Sequence, residues 1–276
     1  MTDSLLPAVE ELLRDVAEQE VMTRFGKLGE GDVRHKGKHG DLVTAADLEA
    51  ENRIREGLLR LMPDSVVIGE EGCYKTPEIL DQLNGERPVW VVDPVDGTRN
   101  FARGKPCFAV MCALIQSGET QMGWILDPIS GACATTQKGQ GAFVAGQKMT
   151  MKAPDRIESL MGSVGERIQG RLKARIDAGE DGLPGHYVRY HCVGREYMDL
   201  VLGKLHFALY GGKLMPWDHA AGTLLVAEAG GFARTVEAKE AYSSIKHGPN
   251  HVQNERLLIA PNEAIFDTLC PLFNPN

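Results

Sequence analysis

One stretch limits what this chain can become: Trp90-Val91-Val92-Asp93-Pro94-Val95-Asp96-Gly97-Thr98-Arg99-Asn100-Phe101. The apolar run from Val89 to Val92 reads as a buried strand. It ends in two carboxylates three positions apart, Asp93 and Asp96. Pro94 fixes one φ between them, and Gly97 permits a sharp turn. Thr98 is placed to cap a short helical turn. Two acids at the end of a buried strand repel each other. A divalent cation such as Mg²⁺, which takes a few carboxylates and keeps positions open for water and phosphate, relieves that repulsion. By spacing alone, a solvated turn with Asp as turn former explains the pattern equally well.

Other acids stand at similar places. Val66-Val67-Ile68 reads as a short buried strand that runs into Glu70. Asp218 opens a helix of small and apolar residues that Gly230-Gly231 closes. Asp47 lies in the first turn of a helix entered through Thr44, where the helix dipole alone favours an acid. Each has a local explanation. Together, in one cleft, they would bind two or three hard divalent ions.

The remaining pattern is mixed α/β. Residues 4–25 have the helical apolar period, and residues 44–61 follow it. Gly26 to Gly40 reads as a mobile Gly/Lys/His loop carrying Lys36 and Lys38. His35 and His39 lack the helix that would make their spacing a metal site. Thr76-Pro77 opens a helix that Asn84-Gly85 ends. Period-two strands follow at 108–115, 121–126, 131–137 and 141–144, with 149–153 as an edge. The second half reads as strands at 160–164, 189–193, 205–209 and 257–260, with helices at 166–178, 196–202, 218–229 and 263–269. Ser163 lacks the glycine at 161 that a nucleophile elbow needs, which removes a serine hydrolase. Gly139-Gln140-Gly141 lacks the third glycine of a dinucleotide fingerprint.

The 276 residues suffice for one large domain or two lobes. Their 43% apolar and 25% charged composition is that of a soluble globular protein. No apolar run reaches membrane-span length and no secretory signal opens the chain, so a cytoplasmic protein is expected. The six scattered cysteines then read as reduced thiols. A net charge of −8 argues against binding bare nucleic-acid backbone, yet metal ions let an acidic chain hold phosphate.

W-V-V-D-P-V-D-G-T-R-N-F at 90–101 and W-D-H-A-A-G-T-L-L-V-A-E-A-G-G at 217–231 resemble the two signature motifs of the inositol monophosphatase family. I-G-E-E at 68–71 and D-L-V-T-A-A-D at 41–47 are similar to that family in the same order. The resemblance runs over nearly the whole chain. It implies a Mg²⁺-dependent, lithium-sensitive phosphomonoesterase with an α/β fold, a layered αβαβα sandwich, often as a homodimer. One domain over 1–276 is then expected, with a metal and phosphate subdomain near 1–150 and a substrate subdomain near 151–276.

The same resemblance implies site residues. Glu70, Asp93, Asp96, Asp218 and the Val95 carbonyl would hold two or three Mg²⁺. Asp47 and Thr98 would orient the attacking water and help deprotonate it. The Gly97 and Thr98 amides would hold phosphate at a helix N-terminus. Lys36 would help close the site. The family's inositol-contacting glutamate, seven residues before the second-motif aspartate, is Gly211 here. Inositol 1-phosphate, histidinol phosphate, a sugar (bis)phosphate and 3'-phosphoadenosine 5'-phosphate therefore all stay open as substrates. Arg195 and Glu196 either line the alcohol pocket or form a solvated salt bridge. A reading of another class is a regulatory or RNA-associated binding protein on the same fold.

Overall fold

The computed structural model describes residues 4–29, 31–36, 41–244 and 255–273, with residues 35, 36 and 41 described through the backbone only. In chain order the helices are α1 (Leu5–Val16), α2 (Ala45–Leu61), α3 (Glu70–Lys75), α4 (Thr98–Ala102), α5 (Glu166–Asp177), α6 (Val193–Val201), α7 (Pro216–Glu228) and α8 (Glu263–Phe273). The strands are β1 (Val33–Lys36), β2 (Asp41–Thr44), β3 (Val66–Gly69), β4 (Val89–Asp96), β5 (Ala109–Gln116), β6 (Glu119–Leu126), β7 (Cys133–Gln137), β8 (Gly141–Val144), β9 (Gln147–Met149), β10 (Met161–Ser163), β11 (His186–Val188), β12 (Phe207–Tyr210), β13 (Phe232–Thr235) and β14 (Leu257–Ala260).

Alternation along the strands builds five layers. Side chains on a strand point to opposite faces in turn. In β4, Trp90 and Val92 face one hydrophobic core while Val89 and Val91 face another. In β5, Val110, Cys112 and Leu114 join the first core, and Met111, Ala113 and Ile115 the second. The first core is closed by α1 and α2 through Val9, Leu13, Ile54 and Leu58. The second is filled by α6 and α7 through Tyr197, Leu200, Ala221 and Leu225. Those helices meet a further sheet through Ala208 and Tyr210 of β12 and Leu257 and Ile259 of β14. The other faces of β12 and β14, Phe207, Leu209, Leu258 and Ala260, pack on Leu172 of α5 and Phe266, Leu269 and Phe273 of α8. The order is helix, sheet, helix, sheet, helix, as the resemblance implies.

The larger sheet runs β3-β4-β5-β6-β7-β8-β9, antiparallel except for the parallel β3/β4 pair. The smaller runs β11-β10-β12-β14-β13. Among the described residues no helix is long and apolar enough to cross a membrane.

Four segments differ from the sequence reading, the first being the edge expected at 149–153, which lies instead at Gln147–Met149. Residues 33–36 are not loop but pair with β2 as a two-stranded ribbon. Val33–Lys36 is too polar to show an apolar alternation. The helix expected after Thr76-Pro77 is a 3₁₀ helix, Pro77–Asn84, without a side-chain cap from Thr76. The strand expected at 189–193 is absent, because β11 ends at Val188 and α6 begins at Val193. Between them His191 takes φ 56°, and the carbonyls of Tyr190 and His191 accept from Asn100 Nδ2 at 2.8 and 3.3 Å instead of from a neighbouring strand.

Helix α7 reaches α6 because Gly222 has no side chain. A Cβ there would lie 2.1–2.3 Å from ring carbons of Tyr197, which is fully buried. Gly222→Ala is therefore expected to cost about 1–3 kcal/mol by overpacking, despite its better helix propensity. Denaturant unfolding checks this; a variant as stable as wild type would contradict the packing.

Candidate active site

Strand β4 carries its aspartates to the end of the larger sheet. Pairing with β5 holds to Asp93↔Met111, slips, and resumes at Asp96↔Ala109. That bulge lets Asp93 and Asp96 project into one place, as bulges beside functional sites often do. The turn closes with Gly97 at φ 86°, and a side chain there would meet the Cys107 carbonyl and Cys192 Cβ at 3.1 Å. Thr98 then starts α4.

The N-terminus of α7 brings Asp218 to the same end. One carboxylate oxygen each from Asp93, Asp96 and Asp218 lies within 4.8 Å of the others. Glu70, first residue of α3, lines the same cleft together with Asp96, Gly97, Thr98, Glu196 and Asp218. The cleft encloses about 280 Å³.

Asp93 is 3% exposed, and its Oδ1 accepts the Val95 N–H at 3.0 Å. Burial first, then the charges of Glu70, Asp96, Asp218 and Asp47, push its pKa well above the usual carboxylate range. Burial also raises Asp96, opposed by donors from the chain after β11. Asp96 Oδ2 accepts from the Cys192 thiol at 3.0 Å and the Gly194 N–H at 2.6 Å. Five carboxylates, Asp47, Glu70, Asp93, Asp96 and Asp218, thus lie close enough for the charges of the other four to act on Asp93. All-oxygen carboxylate ligands of this kind suit Mg²⁺ or Ca²⁺ rather than a soft metal.

Asp47 sits beside this cluster, fully buried. Its Oδ2 accepts from Thr44 N–H at 2.8 Å and Thr44 Oγ1–H at 2.5 Å, while Thr44 Oγ1 accepts from Ala46 N–H at 3.2 Å. This capping box fixes the carboxylate. Thr98 Oγ1 lies 3.1 Å from Asp47 Oδ1 and 3.0 Å from the Val95 carbonyl, and its one proton serves either acceptor.

The substrate residues expected from the sequence part company. Glu196 lines the cleft, and its Oε1 accepts from Ser163 Oγ at 2.6 Å and Tyr190 N–H at 3.2 Å. Burial pushes its pKa up. Arg195 is instead turned to an ion pair with Asp127, and is not part of the cleft wall. Gly211 is exposed after β12 and also outside the wall. Lys36 ends β1, and its side chain, like His39, lies outside the described part of the molecule.

Several positioning groups carry no signal in the sequence. Glu51, on α2, accepts the N–H groups of Glu71 and Gly72 at 2.7 and 2.8 Å and so anchors the helix that starts with Glu70. An acid inside an amphipathic helix reads as solvated surface, so nothing distinguished it. Cys192, in a segment expected to be strand, and Gly194 just beyond it hold Asp96. Removing two charge-assisted hydrogen bonds with Glu51→Ala is expected to cost about 2–4 kcal/mol, read by thermal melting. Unchanged melting would contradict the anchoring.

The comparisons with known proteins agree with this geometry. The sequence pattern of the inositol monophosphatase family matches residues 1–275. Inositol-1-monophosphatase of Rhizobium meliloti is 30% identical over 96% of this chain and 94% of that protein. Fructose-1,6-bisphosphatase/inositol-1-monophosphatase of Thermotoga maritima is 29% identical over 86% and 87%. Nus factor SuhB of Pseudomonas aeruginosa is 28% identical over 86% and 84%. In fold, a Thermotoga maritima IMPase superposes with TM-score 0.79 at 23% identity, covering 95% of this chain and 94% of that one. With a pattern match from end to end and relatives of that name over most of their length, the chain belongs to the inositol monophosphatase family.

Proposed function

We propose that the protein is a metal-dependent phosphomonoesterase that hydrolyses a small phosphorylated alcohol, of the size of inositol 1-phosphate, to the alcohol and inorganic phosphate. The observation that carries this is the meeting of Asp93, Asp96 and Asp218, from two separate elements, in a cleft that Glu70 and Thr98 also line. Buried acids this close are costly without a cation. Asp93, Asp96, Asp218, Glu70 and the Val95 carbonyl would hold two or three Mg²⁺. Bound there, Mg²⁺ supplies Lewis-acid charge that acidifies water and offsets charge on the phosphate and the departing ester oxygen.

The chain's own groups do the positioning. When Thr98 gives its proton to Asp47, a lone pair of its Oγ1 is left to accept from the attacking water. The capping box holds Asp47 fixed for that proton relay. Gly97 and Thr98 line the cleft at the start of α4, where their amides would donate to phosphate oxygens. Glu196, locked through one oxygen, offers the other to a hydroxyl of the leaving alcohol.

The name Nus factor SuhB on one relative favours a second reading, a regulatory binding protein on this fold. Phosphate release from a panel of phosphomonoesters with Mg²⁺, with and without Li⁺, separates the two. Release that Li⁺ suppresses is the expected result. No release from any ester would leave only the regulatory reading.

A further inference from the structure

Two thiols meet behind Asp96, and the phosphate chemistry uses neither as a reacting group. Of the six cysteines five are buried, and only Cys107, between α4 and β5, is partly exposed. Cys192 is 1% exposed and stands at the N-cap of α6. The two lie far apart in sequence, yet their side chains are in hydrogen-bond contact. Asn100 brings the segments together, since its Nδ2 donates to the carbonyls of Cys107, Tyr190 and His191 at 2.9, 2.8 and 3.3 Å. Gly97 leaves room for both, because a Cβ there would meet the Cys107 carbonyl and Cys192 Cβ, each at 3.1 Å.

Cys192 is also tied to the cation site. Its thiol donates to Asp96 Oδ2 at 3.0 Å, beside the Gly194 N–H at 2.6 Å. A disulfide sulfur carries no proton, so joining Cys192 to Cys107 deletes the first of these donors. The bond would also grip the residue from which α6 starts, the helix that presents Glu196 to the cleft. Donors that orient a ligating carboxylate matter for metal affinity nearly as much as the carboxylate itself. Cys112 and Cys133 share a core too, but both are sealed from solvent. Oxidant reaches Cys107 first.

We propose that Cys107 and Cys192 form a reversible disulfide under peroxide, and that this bond disables the cation site around Asp96. The Cys107 sulfur attacks a peroxide oxygen, the O–O bond breaks, and Cys107 sulfenic acid and one water form. The Cys192 sulfur then attacks the Cys107 sulfur, the S–O bond breaks, and a second water leaves. Each sulfur gives up one electron, the peroxide takes both, and the two thiol protons leave in the waters. In a reducing compartment a disulfide of this kind is transient and sensing, not structural. Its effect on turnover rests on the phosphatase reading above, whereas the cross-link itself does not.

The test treats reduced protein with hydrogen peroxide, alkylates the remaining thiols and maps the peptides by mass spectrometry. A peptide joining Cys107 to Cys192 is expected, with the other four cysteines alkylated. Calorimetric titration of Mg²⁺ into the oxidised protein is expected to show binding weakened by about tenfold. Phosphate release is expected to fall with it, and dithiothreitol to restore both. Cys107→Ser keeps the Cys192 donation to Asp96, so it is expected to match reduced wild type and to resist peroxide. Thermal melting checks that this variant is folded. Absence of the joined peptide, a joined peptide with Mg²⁺ binding unchanged, or Cys107→Ser inactivated as wild type is would overturn the inference. If the reduced protein hydrolyses no ester, the phosphatase reading falls, and the peptide map with the Mg²⁺ titration still decides this one.

Discussion

Asp93→Asn is expected to leave the protein folded and to lower phosphate release by at least about 100-fold, roughly 3 kcal/mol of transition-state stabilisation. The amide has the size of the carboxylate, and its oxygen can keep the bond from the Val95 N–H. What goes is one negative charge among five. Cation binding weakens with it, and the mutual repulsion of Asp93 with Glu70, Asp96, Asp218 and Asp47 is relieved. In chelator-treated protein the variant is thus expected to melt at the same temperature as wild type or higher. Circular dichroism melting and a phosphate assay on one preparation check both halves. Wild-type turnover would refute the ligand role of Asp93.

Phe101→Ala is expected to be the costlier change for the fold, at about 3–5 kcal/mol. Phe101 is fully buried beneath the Gly97 turn. Its ring stands edge-on to Phe108, centroids 5.1 Å apart, and 5.6 Å from Phe25. No small shift refills a space bounded by the rings of Phe25 and Phe108 and by α4 itself. The melting temperature is expected to fall by about 10 °C for a domain of this size. Thr98 rides on the same short helix, so activity per folded molecule falls as well, and misplacement by about 1 Å costs up to 100-fold. A melting temperature within about 2 °C of wild type would contradict this account of the cluster.

How far the sequence alone reached depends on which bonds position each group. Asp93, Val95, Asp96 and Thr98 are held by one turn, so their neighbourhood is covalent and legible. Asp47, Glu70 and Asp218 lie on other elements, and only the order of the motifs suggested that they meet. The five layers follow from period-two alternation in β4, β5, β12 and β14, with each face closed by an apolar helix. The residues missed are those whose role is a contact distant in sequence. Glu51 anchors α3 from α2, and Cys192 and Gly194 reach Asp96 across the cleft. Arg195 and Glu196 illustrate the limit of a local reading. Successive residues on a helix point about 100° apart, so only one of two adjacent charged residues could face the cleft, and only the packing of α6 shows which. The ribbon of β1 and β2 left no pattern because Val33–Lys36 is too polar in sequence to alternate.

The central claim is that the carboxylates at the end of β4 and the start of α7 form one cation site. Calorimetric titration of Mg²⁺ into chelator-treated wild type, Asp93→Asn and Asp218→Asn tests it without reference to any substrate. Saturable binding to wild type, weakened by about tenfold or more in each variant, is the predicted result. Binding to both variants as tight as to wild type, or no saturable binding to wild type, would contradict it.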